Sequence, residues 1–160
     1  MKPLRWLFYV IFTWSWSVAL AQGIDFKSGS WKSIKEKALL QNKMIFVDCY
    51  TTWCSPCKWM DKNTFSNDSV GMLYNQHFIN VKMNMEKGEG VQIKKLYNVD
   101  AYPTYLFVDG NGHLIYRSLG ACSPKVFIKI GRDALHPKNN LLQMEQRFFD
   151  SVQFTKTDAK

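Results

Sequence analysis

Beyond its first 21 residues the sequence has no apolar run long enough to cross a bilayer, so no membrane span is expected after that point. It holds no nicotinamide or flavin motif, which leaves any redox chemistry to its own side chains and to other proteins. It has no internal repeat and no low-complexity tract, which sets aside solenoids and disordered linkers. Histidines number three, and His77, His113 and His136 stand far apart, so ligands for a metal are few. Acidic residues are in deficit, 13 against 21 lysines and arginines, for a formal charge of +8. The basic residues are scattered rather than gathered in a block. The excess therefore implies solubility and weak attraction to acidic partners, with no nucleic-acid footprint.

What is present fits one domain: 160 residues, 46% apolar and 15% aromatic, enough for a full core. Lys2 and Arg5 precede an apolar run from Trp6 to Val18 that closes on Ala19-Leu20-Ala21, the pattern of a secretory signal peptide cleaved after Ala21. Loss of residues 1–21 removes two basic residues and no acidic one, so the exported chain stays basic. An uncleaved membrane anchor is the competing reading, but Thr13, Ser15 and Ser17 dilute the run and a cleavage site follows it. A periplasmic or secreted protein is expected. The folded domain is assigned to residues 22–137, and a C-terminal helical extension with a polar tail to residues 138–160.

A serine cap at Ser28 or Ser30, followed by Trp31, Ile34, Ala38 and Leu39 at helical spacing, predicts a helix to about Gln41. Met44 to Tyr50 is a short apolar run rich in strand formers, with Asp48 as its anomaly. A helix is expected to open at Cys54 and run through Lys58, Trp59 and Met60; a second piece covers Val70 to Asn75, and a strand Phe78 to Asn84. A turn at Gly88 to Gly90 leads into a short helix carrying Val91, Ile93, Leu96 and Tyr97. Thr104 to Val108 and His113 to Arg117 flank Asp109-Gly110-Asn111-Gly112, a hairpin signal because Gly and Asn accept positive φ. Ser123-Pro124 opens a helix with Val126, Phe127, Ile130 and Leu135 on its apolar face, ending before Pro137. Leu141, Leu142, Met144, Phe148 and Phe149 predict a further amphipathic helix, and residues 151–160 a frayed tail. The order helix, strand, helix, strand, helix, hairpin, helix is that of a mixed sheet covered on both faces.

Four cysteines in a secreted chain would suggest two structural disulfides. Cys54 and Cys57 enclose too short a loop to staple a fold, however, and Cys49 and Cys122 have no partner at a recognisable spacing. One redox pair plus two lone thiols is the simpler account, the lone ones being small buried hydrophobes or accessory thiols. In Trp53-Cys54-Ser55-Pro56-Cys57-Lys58 the first sulfur lies at the mouth of a helix, where unpaired N–H groups and the helix dipole favour its thiolate. Cys54 is therefore the expected nucleophile, and Cys57, one turn on and more enclosed, the resolving thiol. Pro56 stiffens the loop where a missing N–H costs nothing, Lys58 is basic and next in line, and an exposed Trp53 would shelter the sulfur. Half a zinc site has the same spacing, but it needs two more ligands, which the isolated histidines and unpaired cysteines do not offer.

Taken together, Val47-Asp48, the Trp53 to Lys58 hexapeptide, Val81-Lys82-Met83-Asn84, Tyr102-Pro103-Thr104 and Gly120 resemble the thioredoxins over about residues 30–135. Thr64-Phe65-Ser66-Asn67-Asp68-Ser69-Val70 further resembles the branch containing the C-terminal domain of the bacterial transmembrane reductase DsbD, which works in the cell envelope. The resemblance implies the thioredoxin fold, an α/β architecture with a central mixed sheet of four to five strands flanked by helices. It implies that Asp48 is a buried carboxylate beneath Cys57, with a raised pKa and a proton to relay, and that Lys82 is its neighbour. It implies a cis Pro103 facing the dithiol, with the Tyr102 backbone offering strand-like hydrogen bonds to a substrate peptide. The sequence departs from typical thioredoxins at Ser55, where they carry glycine, and at Cys49 and Thr51-Thr52 in the strand exit.

The expected activity is reduction of protein disulfides by dithiol exchange through Cys54 and Cys57. The partners implied are protein disulfide substrates and a protein electron donor embedded in a membrane. No cofactor is expected beyond the redox disulfide itself, no metal and no nucleic acid, and the protein is expected to be a monomer. Two rivals stand beside this reading: an oxidase or isomerase of the same fold, differing in potential rather than in parts, and a non-enzymatic module that uses the fold as a binding surface.

Overall fold

Ser30 settles the first cap: in the computed structural model, which describes residues 23–136, its hydroxyl accepts the Ser33 N–H at 3.2 Å and starts α1 (Trp31–Gln41). Asn42 ends that helix in the left-handed conformation, φ 48°. Ile34 and Ala38 are buried as the periodicity requires, but Leu39, expected on the same face, is 55% exposed. Its side chain lies under the later hairpin turn, where a Cβ on Gly110 would stand 2.7 Å from Leu39 Cδ2. The expected signal peptide, amphipathic helix and polar tail lie outside the described residues.

Strand β1 (Met44–Tyr50) is buried along its whole middle and lies at the centre of the sheet. It pairs in parallel with β2 (Phe78–Asn84) and antiparallel with β3 (Thr104–Val108). Strand β4 (Leu114–Leu119) completes the order β2-β1-β3-β4 by pairing antiparallel with β3. Four strands are thus described, and a single parallel bridge from Lys27 to Val81 adds a fragment of chain at the β2 edge. The hairpin turn forms as expected, with Asp109 Oδ1 accepting the N–H groups of Asn111 and His113, and Gly112 at φ 99°. Strand β4 begins one residue later than expected and ends two later, because Thr104 still pairs with Leu119.

Between β1 and β2 run α2 (Ser55–Met60), a single π-helical turn (Asp61–Phe65) and α3 (Asp68–His77). The π turn, unsignalled in the sequence, makes the helix from the cysteine motif run on further than expected. Helix α3 starts two residues earlier than expected because Asn67 Oδ1 accepts the N–H groups of Ser69 and Val70. Helices α4 (Gly90–Leu96) and α5 (Pro124–Leu135) flank the hairpin in sequence.

Strand alternation divides the core into two layers of different chemistry. On one face Ile45, Val47 and Cys49 pack with Ile79, Val81, Leu106, Ile34 and Ile93 into an aliphatic layer. On the other, Phe46 meets Phe65, Tyr74, Phe78, Tyr105, Phe107 and Phe127 in an aromatic layer. There Tyr74 stacks on Phe127 at 4.7 Å and donates its hydroxyl to the Phe127 carbonyl at 2.9 Å, tying α3 to α5. Asp48, two residues on from Phe46, shares the aromatic face, the one on which Met60 and Phe65 pack.

Candidate redox site

Where β1 stops, Cys54 N–H donates to the Thr51 carbonyl at 3.3 Å, and the chain turns into α2. Cys54 is the N-cap of that helix, in an extended conformation, with Pro56 in the first turn. Its sulfur takes the place of a capping oxygen: the Cys57 N–H points at Cys54 Sγ, 3.1 Å away. A donor aimed at the sulfur from the positive end of a helix is the arrangement that stabilises a thiolate once the pair is reduced.

Cys54 and Cys57 are joined by a disulfide, Cα atoms 5.3 Å apart. Both are only 2% exposed, so in this oxidised state the expected difference in enclosure between them is absent. The residues around them, Trp53, Ser55, Pro56 and Lys58, are all exposed and form a rim. Cys49 and Cys122 are unpaired. Cys49 is buried in the aliphatic layer, where desolvation pushes its thiol far above the ordinary range. Cys122, expected to be buried, is only partly so. It sits in the loop after β4, which is anchored by its N–H to Met60 Sδ at 3.2 Å and by Thr64 Oγ1 donating to its carbonyl at 2.7 Å.

Asp48 is 1% exposed. The parallel register makes Lys82 its direct partner on β2, and Lys82 Nζ lies 3.4 Å from Asp48 Oδ2. The approach is an ion pair without sound hydrogen-bond geometry, for neither carboxylate oxygen of Asp48 has a hydrogen-bond partner among the described residues. Burial dominates and raises the Asp48 pKa from 3.8 to about 7; Lys82 opposes the rise, and the negative charge of Asp61 adds to it.

Asp61 was not singled out by sequence reasoning. The π turn carries it to Lys82, whose ammonium it binds, so the lysine is shared between two carboxylates. Aromatic rings enclose the rest of that ammonium, Tyr50 at 4.9 Å and Phe26 and Phe65 each at 5.8 Å. Glu86 was also missed. It accepts the indole N–H of Trp53 at 2.8 Å, and the Trp53 ring, 65% exposed, meets Tyr102 edge-on at 5.8 Å. No local pattern marks either acid, since each acts through a residue more than 20 positions away.

The Tyr102–Pro103 bond is cis, and the Pro103 carbonyl accepts the Gly120 N–H at 2.9 Å, which joins the end of the loop into β3 to the start of the loop out of β4. The structure thus brings Trp53 against Tyr102, with Pro103 next to Tyr102 in the chain, and Asp48 against Lys82.

Residues 25–110 match the family model described as thioredoxin-like. A candidate disulphide isomerase from Bacteroides thetaiotaomicron superposes with a TM-score of 0.66 at 42% identity, covering 74% of this chain and 98% of that one. Thioredoxin-T of Drosophila melanogaster is 28% identical over 88 residues, 55% of this chain and 52% of its own length. The thiol:disulfide interchange protein DsbD of Haemophilus ducreyi is 35% identical over 74 residues, 46% of this chain. The matched stretch spans about half of the Drosophila protein and 13% of the DsbD protein.

Proposed function

The chain belongs to the thioredoxin-like family, and we propose that it is an exported thiol:disulfide oxidoreductase that reduces protein disulfides. The observation that carries the reading is a Cys54–Cys57 disulfide at the mouth of α2 with a buried, weakly acidic carboxylate on the sheet face below.

In the reduced protein, the Cys54 thiolate attacks one sulfur of a substrate disulfide. That S–S bond breaks, a mixed disulfide forms, and the other substrate sulfur leaves as a thiolate. Cys57 gives its proton to Asp48 and attacks Cys54 Sγ, which closes the intramolecular disulfide and releases the second substrate sulfur. Two electrons have passed to the substrate. A pKa of about 7 lets Asp48 take and return a proton at neutral pH, and Lys82 faces the charge left when it is ionised. Trp53, Tyr102 and Pro103 form the platform for the substrate peptide, with Ser55, Pro56 and Lys58 as its rim.

The oxidised protein is recharged by a protein dithiol donor held in the membrane, a reading supported by the DsbD relatives and by the lack of any nicotinamide or flavin motif. The leader-like residues 1–21 support a periplasmic or secreted location. Among the described residues no helix is long and apolar enough to cross a membrane.

Trapping tests the reading. Cys57→Ala should accumulate mixed disulfides through Cys54, while Cys54→Ala should capture nothing, and the reduced wild type should reduce insulin. A glutathione titration placing the pair well above about −150 mV overturns reduction in favour of oxidation. The Bacteroides relative, described as a candidate isomerase, favours isomerisation as a second reading; it would show as reactivation of scrambled ribonuclease outpacing insulin reduction.

A further inference from the structure

The helix that carries the dithiol also holds a loop distant in the sequence. Met60 closes α2 and Thr64 lies one turn on, in the π turn, so the two share one side of the helix. Both are 0% exposed. Their polar atoms end on one residue: Met60 Sδ accepts the Cys122 N–H at 3.2 Å, and Thr64 Oγ1 donates to the Cys122 carbonyl at 2.7 Å. A hydroxyl within a helix can be satisfied on the carbonyl one turn back, as Ser66 is on Lys62, and a methionine needs no polar partner. Met60 and Thr64 reach across to Cys122 instead.

What these two tethers fix is a short connection. Cys122 lies between β4, which ends at Leu119, and α5, which starts at Pro124. Thr104 and Leu119 are the last residues of β3 and β4 to pair at this end, and the bond from the Gly120 N–H to the Pro103 carbonyl follows directly. Gly120 stands there at φ 91°, a conformation glycine adopts without strain. A hydrogen bond at the end of a ladder opens readily unless the chain beyond it is held. Pro103 in turn follows Tyr102, whose ring meets Trp53, the neighbour of Cys54. Direct contacts and short stretches of chain therefore connect the helix bearing Cys57, through Met60 and Thr64, to Cys122, Gly120 and Pro103.

We propose that Met60 and Thr64 are positioning residues for substrate binding: they clamp the backbone of Cys122 so that Gly120 stays bonded to Pro103 beside the platform of Trp53 and Tyr102. The role in binding rests on the reading of the protein as a disulfide reductase; the clamp itself does not.

Three substitutions test it. Thr64→Val keeps the shape and removes the donor, Thr64→Ser keeps a hydroxyl, and Met60→Leu removes the sulfur. Amide hydrogen exchange of the oxidised proteins reads the clamp without any substrate. In Thr64→Val the Gly120 amide should exchange about tenfold faster when measured against amides in the middle of β1, the effect of one buried hydrogen bond, and Thr64→Ser should hold it at the wild-type rate. Met60→Leu should give a smaller rise, about threefold, because a thioether is a weak acceptor. An unchanged Gly120 rate in Thr64→Val, or one that rises only in step with β1, would overturn the proposal, since Thr64 would then do no more than stabilise the fold. In reduction assays Thr64→Val should raise KM for a peptide disulfide about threefold with kcat unchanged, and Thr64→Ser should reverse the rise. Faster exchange at Gly120 with KM unmoved would overturn the link to substrate. A wild type that reduces no disulfide sinks the reductase reading instead, and exchange at Gly120 still decides whether the clamp exists.

Discussion

Replacing Asp48 by asparagine should stabilise the oxidised protein, and by an amount that depends on pH in a defined way. The carboxyl is 1% exposed, and its pKa in the folded state is about 7 against 3.8 for an ordinary aspartate. The folded state therefore holds a proton that the unfolded chain gives up, across a window of about three pH units. Below pH 4 both states are protonated and the carboxyl imposes no penalty. From pH 4 to 7 wild-type stability falls by about 1.4 kcal/mol per pH unit on this account, and above pH 7 the full penalty, roughly 4 kcal/mol, is present. Asparagine is nearly the same size and carries no charge, and Lys82 keeps its contact with Asp61. Urea unfolding of the oxidised wild type and Asp48→Asn at integral pH values from 4 to 8 should show a difference near zero at pH 4 that grows to a few kcal/mol by pH 8. A difference independent of pH, or a variant less stable than wild type at pH 8, would refute the claim that burial dominates the surroundings of this carboxylate.

Asp61→Asn should lower the Asp48 pKa, because a neighbouring negative charge disappears and Lys82 is freed to turn toward Asp48; carboxyl ¹³C titration reads this, and a rise would contradict the shared-lysine geometry. Glu86→Ala, which removes the acceptor for the indole N–H, should loosen the Trp53 ring and raise KM for a peptide disulfide while leaving kcat unchanged, so an effect confined to kcat would count against a platform role. Phe127→Ala should cost about 3–5 kcal/mol in urea unfolding, since it empties the middle of the aromatic layer; a loss under 1 kcal/mol would mean that layer collapses around the gap. Asn67→Ala should cost about 1 kcal/mol through lost capping of α3, measured the same way.

The elements legible in the sequence were those in which one local pattern decides the outcome. Met44 to Tyr50 could bury both faces only as a central strand, Asp109 to Gly112 could hardly be other than a hairpin turn, and Pro56 placed a helix start at the cysteines. Lys82 reached the site only through family resemblance, because strand register depends on two segments more than 30 residues apart. The π turn left no trace, since one extra residue per turn costs nothing that composition records, yet it is what carries Asp61 to Lys82. Leu39 departs for the opposite reason: its spacing is helical and apolar, but it stays outside the aliphatic layer that Ala38 joins, touched on one side by the hairpin turn and otherwise open. The burial habit of free cysteine predicts an enclosed Cys122, whereas its place in a loop held through Met60 and Thr64 leaves it part open.

The alternation along β1 also separates what can drift from what cannot. Exchanges among Ile45, Val47 and their aliphatic partners change how firmly the molecule holds together but leave the surroundings of the Asp48 carboxyl, on the opposite face, as they were. Exchanges among Phe46, Phe65 and Tyr105 alter the medium in which that acid ionises. Anyone redesigning this scaffold for heat tolerance has one side of the sheet to work on freely, while the other acts as a tuning dial for its chemistry.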